Sequence, residues 1–267
     1  MEETSKAAPF LGQLKNGSVA DCIGATSLVR LNRLPAAIGI KAQVYAKLEY
    51  FNAGGSVKDR IAKRMVEKAE RDGTIKPGDT LIEASSGNTG IAIALMAAIK
   101  GYKCIITLSE KMSLEKERIL KALGAKVVRT PAGVAIDSPD SIISVAQRLH
   151  KEIPNSFILN QYTNPENPAA HEFGTAEELW HQTEGHIDVL ISGAGTGGTV
   201  TGTMKVLKKH SKDILCVAVD PLGSVLAQPD ELNNLKAEYK VEGIGYDFKY
   251  NLVSTNRLWM MRIEQGS

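Results

Sequence analysis

Short β-branched runs alternate with segments of helical periodicity along almost the whole chain, and that alternation is what most limits the folds open to it. The runs 43–49, 80–83, 104–108, 126–129, 157–160, 187–192 and 214–220 read as strands. Several, 187–192 most clearly, are continuous apolar stretches of the kind buried on both faces of a sheet. Between them, residues 58–72 place Ile61, Ala62, Met65, Val66 and Ala69 on one helical stripe, with Asp59/Lys63 and Glu67/Arg71 as i,i+4 pairs on the wet side. Ser138-Pro139 has N-cap and N1 chemistry ahead of a stripe of Ile142, Ile143, Val145, Ala146 and Leu149. Strands joined by helices in this order build parallel sheets covered on both faces, an α/β fold. From residue 249 onward the alternation is lost, and Trp259, Met260, Met261 and Ile263 form no clear element.

With 267 residues the chain forms one large domain or two small ones. Its formal charge of +2, without a long run of one sign, argues against a nucleic-acid or membrane-surface partner. The longest apolar run, 91–99, is half of the ~18 residues a membrane span needs. The first residues, with Glu2 and Glu3, are expected to be neither a secretory signal nor a transit peptide. Cys22, Cys104 and Cys216 form no C-x-x-C pair and are expected to be reduced, buried thiols of a cytoplasmic protein. No metal site is expected: His150, His171, His181, His186 and His210 make no H-E-x-x-H and read as helix-surface residues. A serine-hydrolase elbow, G-x-S-x-G, is also missing from the sequence.

Three glycine-rich joints carry the chemistry. Gly193, Ala194, Gly195, Thr196, Gly197 and Gly198 follow the strand 187–192 and open a helix, where free N–H groups and the helix dipole favour an anion. Alone this matches G-x-G-x-x-G, with Asp220 at a distance suited to a ribose hydroxyl. A dinucleotide, the phosphate of another cofactor, and a merely structural turn are all open. Ser85, Ser86, Gly87, Asn88, Thr89 and Gly90 offer hydroxyls, an amide and N–H groups at a second helix start. They suit a carboxylate or phosphate, or cap a helix with no ligand. The third joint, Asn52 to Lys58, is not a P-loop, since the spacing fails and Asp59 follows the lysine. The helix dipole disfavours a cation at Lys58, so its amine titrates easily, which suits a Schiff-base lysine; ordinary surface charge is the competing reading.

Together these residues resemble the cysteine synthase and cystathionine β-synthase family of pyridoxal-phosphate enzymes. NAGGSVKDR around Lys58, SSGNTG from Ser85, NQY from Asn160, GTGGT from Gly195 and GIGYDF from Gly243 stand in the family's order. The resemblance runs from about Ile23 to Phe248, and GIGYDF is similar to the cystathionine β-synthase branch. It implies two parallel-sheet α/β domains of the fold type II pyridoxal-phosphate enzymes, a smaller one over about 51–159 and a larger one combining 1–50 with 160–267. It implies that Lys58 bonds the cofactor and moves the substrate's α-proton, that Asn88 meets the ring's 3′-oxygen, and that Gly195, Thr196, Gly197, Gly198 and Thr199 hold its phosphate. Ser85, Ser86, Gly87, Thr89 and Gln161 would bind the substrate carboxylate. Gly245 and Tyr246 would line the mouth, with Tyr246 a candidate for protonating or positioning the leaving hydroxyl.

The activity so implied is β-replacement on L-serine or an O-activated serine by a thiol, most simply serine with homocysteine. A cysteine synthase using O-acetylserine and sulfide is the neighbouring alternative, and a non-catalytic binding relative a third. A homodimer and a cytoplasmic place go with the resemblance. Two departures stand out: Ser27 replaces the proline of the family's G-x-T-P-L opening, and Asn160 stands where an aspartate is usual. No haem-ligand segment is read before Cys22, so haem is not expected. Nothing after Phe248 matches the Gly/Ser-rich loop that meets the cofactor's ring nitrogen, and neither Ser254 nor Ser267 is assigned to it. The expectation is therefore a truncated chain of weak activity.

Overall fold

The computed structural model describes residues 17–85, 87–135, 137–227, 230–234, 237, 240–246 and, for backbone alone, 259–263. Two parallel sheets and one antiparallel ribbon organise them. In the ribbon, β1 (Leu28–Arg30) pairs with β2 (Tyr45–Lys47) across the short helix α1 (Leu34–Ala37). The 43–49 run is thus a three-residue antiparallel strand and not part of a parallel sheet. It ends early because Glu49 enters a 3-10 turn and turns its carboxylate onto Arg60.

Helix α2 (Lys58–Arg71) leads to a βα series: β3 (Thr80–Ala84), α3 (Asn88–Lys100), β4 (Lys103–Ser109), α4 (Leu114–Ala122), β5 (Lys126–Thr130), α5 (Ile142–Glu152) and β6 (Ser156–Ile158). These four strands are parallel in the order β5-β4-β3-β6. β3 is buried along its whole length, and its period-2 alternation divides the core. Leu81 joins Ile61, Met65, Ile93 and Met96 of α2 and α3 on one face, whereas Ile82 packs with Ala146 of α5 on the other. The chain leaves β3 in one direction toward β4 and returns on its other side as β6. The carboxyl end of β3 is therefore a topological switch point, the place where an open α/β sheet forms a ligand crevice. The N-cap of α5 is Ser141, whose Oγ accepts from Ser144 N at 3.1 Å, and not Ser138, which closes the preceding turn.

After β6 come α6 (Glu166–Ala170), a π-helical turn (His171–Thr175) and α7 (Ala176–Gln182). Then β7 (Val189–Gly193), α8 (Gly198–His210), β8 (Leu215–Pro221) and β9 (Trp259–Ile263) build the second parallel sheet, ordered β7-β8-β9. β9 was not legible in the sequence. Trp-Met-Met-Arg-Ile does not alternate and has only Ile263 as a β-branched residue, and its strand form comes from pairing with β8, Trp259 opposite Val217. The expectation that 187–192 is buried on both faces also fails. Leu190 packs with Trp180, Leu207 and Cys216, but on the opposite face Val189 is 47% and Ile191 66% exposed.

Two further burial readings are corrected. Asp59 is fully buried and accepts from Gly54 N at 2.6 Å, while Lys63 Nζ donates to Ala20 O at 3.0 Å, so the two do not pair. Asp59 is the first acidic residue of the α2 turn and folds back onto the glycine loop before it. Of the cysteines, Cys104 and Cys216 are buried but Cys22 is exposed. Among the described residues no helix is long and apolar enough to cross a membrane.

Candidate active site

The site forms where α2, the joint after β3 and the joint after β7 converge. Lys58 opens α2 behind N-cap Val57, which makes no side-chain cap. Two residues on, Arg60 is held by Glu49, with Nε–Oε2 at 2.7 Å, and by Glu178, with Nη1–Oε1 at 2.6 Å. Lys47 reaches the same Glu178 at 2.6 Å. Burial disfavours the Glu178 carboxylate, but hydrogen bonds from Arg60 and Lys47 hold it down at about 2. Breaking one member of such a buried network leaves an uncompensated charge. The network therefore fixes the first turn of α2 against α7 and the 24–26 segment. Lys58 is half-buried on this anchored turn; its backbone N donates to Ser56 Oγ at 3.2 Å, its amine makes no hydrogen bond or ion pair among the described residues, and desolvation lowers that amine to about 8. That is the chemistry of a nucleophilic lysine more than of a solvated one.

The joint after β3 closes partly on itself. Ser85 Oγ accepts from Gly90 N at 3.0 Å and from Gly87 N at 3.4 Å. Thr89 Oγ1 donates to Gln161 Oε1 at 2.7 Å, both side chains being buried, while Asn88 is exposed at the start of α3. Ser86 lies outside the described residues. Gln161 is placed by Glu83, the buried carboxylate near the end of β3, which accepts from Asn160 N at 3.0 Å and Gln161 N at 3.1 Å. Burial nevertheless outweighs these bonds and raises Glu83 to about 7. Asn160 has φ 56, a left-handed conformation that Asn tolerates, and its Oδ1 accepts from Tyr162 N at 3.2 Å.

The joint after β7 is built differently. Gly197 takes φ 81 as N-cap of α8 and no side chain caps the helix, so the first N–H groups are left for an external acceptor. Thr196 is buried, Thr199 half-buried, and Gly195 to Gly198 are enclosed. Behind them Asn167 Nδ2 donates to Thr196 Oγ1 at 2.9 Å and to Gln161 O at 2.8 Å. One buried amide thus ties the two joints together. His171 lies one turn on: its Nε2 is 3.2 Å from Thr199 Oγ1 and its Nδ1 2.9 Å from Thr175 Oγ1. It is 1% exposed, a correction to its reading as a surface histidine. Burial, then the Lys58 and Arg60 charges, lower its imidazole to about 3.

The 243–246 segment covers this joint. Gly245 N donates to Ala194 O at 2.8 Å, and a Cβ on Gly195 would lie 2.2 Å from Gly243 O, so no side chain fits there. Tyr246 meets Tyr162 edge-on with ring centroids 5.9 Å apart; burial raises its phenol, against a hydrogen bond from Tyr162 that lowers it. Just before this segment Glu242 forms an ion pair with Lys116 of α4, whose Nζ lies 3.7 Å from the position of a Cβ on Gly87. Asp247, Phe248, Ser254 and Ser267 lie outside the described residues. Of the residues expected from the sequence, Thr89 and Gln161 are linked through Asn167 to Thr196, and Gly245 closes on Ala194 beside the 195–199 joint. The Lys58 amine meets this group only through its charge, which acts on His171 behind Thr199. Asn167, His171, Glu83 and the Lys116–Glu242 pair were missed. The signal for the first two lay in Gly198 and Gly202, helix glycines whose spacing of four marks a close approach. A Cβ on either would meet Asn167 Oδ1 at 1.8 Å or Pro168 O at 2.1 Å.

An anchored, unpaired amine beside an uncapped helix start with two threonine hydroxyls fits an aldehyde-bearing phosphate ester. Residues 19–255 match the family described as pyridoxal-phosphate dependent enzyme. The chain belongs to that family. It is 57% identical over 236 residues to a cystathionine beta-synthase of Dictyostelium discoideum, covering 88% of this chain and 47% of that protein. Against the Rattus norvegicus cystathionine beta-synthase the identity is 57% over 227 residues, covering 85% and 40%. The chain spans about half the length of the curated relatives it matches. Among solved structures, a hydrogen sulfide-producing enzyme from Fusobacterium nucleatum superposes with TM-score 0.84 at 34% identity, over 93% of this chain and 80% of that one. An O-ureido-L-serine synthase does so with TM-score 0.84 at 32% identity, over 94% and 76%. The two-sheet α/β fold implied by the sequence resemblance is the fold observed, that of the fold type II pyridoxal-phosphate enzymes.

Proposed function

We propose that this chain binds pyridoxal 5′-phosphate at Lys58 and performs β-replacement on L-serine with a thiol, homocysteine in the first instance, giving cystathionine and water. The observation that carries this reading is the unpaired Lys58 amine at about 8, beside the His171-backed start of α8. The level of identity to cystathionine beta-synthases favours homocysteine over sulfide. When bound, the cofactor supplies an aldehyde that amines condense with and a ring that draws electrons from the substrate's α-carbon.

The chain's own residues do the rest. Lys58 Nζ, partly neutral near pH 8, is the amine that would hold the cofactor and, when free, would take the substrate's α-proton and later return it. The 195–199 joint holds phosphate oxygens with N–H groups and threonine hydroxyls. Asn88, exposed at the head of α3, would meet the 3′-oxygen. Ser85, Ser86, Gly87, Thr89 and Gln161 receive the substrate carboxylate. Tyr246 orients the leaving hydroxyl, since a phenol with a raised pKa holds its proton and serves better as a hydrogen-bond donor than as an acid. Lys116 and Glu242 draw α4 toward the 243–246 segment and narrow the mouth against water.

The division into a smaller domain over 51–159 and a larger one from 1–50 with 160–267 is part of this proposal. It is supported by the two parallel sheets, whose strands fall on either side of residue 159. A homodimer and a cytoplasmic place are proposed with it. The test is spectral and catalytic. The purified chain should bind pyridoxal phosphate with the absorbance of a lysine-bound aldehyde, and Lys58→Ala should lose that band while remaining folded. Serine with homocysteine should outpace O-acetylserine with sulfide. Binding of NAD, weakened by Asp220→Ala, in place of pyridoxal phosphate would replace this reading with the dinucleotide one.

A further inference from the structure

Asn167 and His171 stand four residues apart, on one face of the segment formed by α6 and the π turn, and meet Thr196 and Thr199 respectively. The sense of the first contact is fixed. Gln161 O only accepts, so it selects the NH₂ end of the Asn167 amide, and both amide protons are then committed, one to Gln161 O and one to Thr196 Oγ1. Thr196 therefore accepts from behind, and its own proton turns toward the interior of the joint.

The second contact has two possible senses. His171 is buried and stays neutral well below pH 6, so it has one N–H and one lone pair. Either Nε2–H donates to Thr199 and Nδ1 accepts from the Thr175 hydroxyl, or both bonds run the other way. Only the first leaves the Thr199 proton free for an anion. With an anion drawing that proton inward, the other tautomer would set the Nε2 lone pair against a lone pair of Thr199 Oγ1.

We propose that His171 carries its proton on Nε2 and, with Asn167, is a positioning residue that presents the hydroxyl protons of Thr196 and Thr199 to a phosphate group in the 195–199 joint. The phosphate rests on the pyridoxal-phosphate reading above, and so does the choice of tautomer, since the two contacts of His171 allow either sense until an anion draws the Thr199 proton inward. Binding is then prepaid by two buried side chains that carry no charge, and Thr175 is the residue that locks the tautomer.

Nitrogen-15 NMR of histidine-labelled full-length chain, free and with pyridoxal phosphate, reads the tautomer directly. A proton on Nε2 and a bare Nδ1, unchanged between pH 6 and 9, is the expected result. Thr175→Val should shift the signature toward Nδ1–H and weaken pyridoxal phosphate binding about fivefold. His171→Leu should weaken it about tenfold while changing affinity for unphosphorylated pyridoxal less than twofold. His171→Gln, which keeps an N–H near the Nε2 position, should recover to within about threefold of wild type. A bound cofactor with an Nδ1–H or doubly protonated ring would overturn the tautomer and leave the cofactor reading intact. Equal losses for pyridoxal and its phosphate in His171→Leu would overturn the positioning role. Failure of the wild-type chain to bind pyridoxal phosphate at all would sink the cofactor reading and this proposal with it.

Discussion

The two helix-opening joints, one after β3 and one after β7, look alike in sequence and differ in what stands behind them. Both follow a parallel strand, and both open a helix of 13 residues at an N-cap glycine without a side-chain cap. After β3, Ser85 Oγ closes onto Gly87 N and Gly90 N, and the Thr89 hydroxyl is committed to Gln161. After β7 the backing comes from another element, and Asn167 fills the space a side chain on Gly198 would need. A glycine-rich joint is thus defined less by its own letters than by the groups that consume its donors. A joint that satisfies itself tolerates change; one that depends on a tightly packed neighbour does not.

The sharpest way to break this comparison is Gly198→Ala. Its Cβ would lie 1.8 Å from Asn167 Oδ1, a contact that only movement of α6 or α8 can relieve. We expect a loss of about 3 kcal/mol, the upper end for overpacking, by chemical denaturation. A loss below about 1 kcal/mol would mean that the helices slide apart freely.

The joints should also differ in their response to pH. Glu83 belongs to the first, and burial raises it from 4.5 to about 7. The unfolded chain therefore releases this proton first: the stability contribution is full below about pH 4.5 and is lost as pH rises to about 7, by about 3 kcal/mol. The difference in stability between wild type and Glu83→Gln, followed from pH 4 to 8, isolates it, since slopes from Asp59 and His171 are common to both. The second joint has a histidine lowered from 6.5 to about 3, so its contribution runs the other way and is lost as pH falls through that window. A flat difference curve for Glu83→Gln would show that the bonds from Asn160 N and Gln161 N compensate the burial.

Two substitutions grade the tie between the joints. Asn167→Leu leaves Gln161 O and Thr196 Oγ1 without their buried donor and should cost about 2 kcal/mol, with cofactor affinity falling as well. Thr89→Val removes only the donor to Gln161 Oε1, should cost about 1 kcal/mol, and should raise KM for serine more than it lowers kcat. If Thr89→Val costs as much as Asn167→Leu, the amide is not the principal link.

What could be read from the sequence follows the same division. Hydrophobic period and turn chemistry are local, so α2, β3, β4 and the three joints were legible to within a residue or two, and motif order grouped Lys58, Thr89, Gln161 and Thr196 as one candidate site. The residues behind the joints were not. A lone Asn and His in a polar helical segment carry no local signal, and their role exists only once α6 packs on α8. Glu83 sat inside a run legible as strand, where nothing local shows that its carboxylate turns to the 160–161 backbone. β7 misled for a related reason: apolar spelling specifies that a strand can be buried, while the layers around it decide whether both faces are.

The smallest expected effect is also the most discriminating. Gly87 is the N-cap of α3, and a Cβ there would meet nothing nearer than Lys116 Nζ at 3.7 Å. Alanine is a poorer N-cap than glycine by about 0.5–1 kcal/mol, but it restricts the unfolded chain by a similar amount, and the two effects oppose each other. Gly87→Ala should therefore leave stability within about 0.5 kcal/mol of wild type. Its methyl would still sit between the β3 joint and Lys116, the lysine that pairs with Glu242. A rise in KM for serine without a change in Tm is the outcome that marks Gly87 as a lining residue. If Gly87→Ala instead destabilises as Gly198→Ala does, the β3 joint leans on its neighbours as heavily as the β7 joint, and the contrast between a self-satisfied and a backed helix start fails.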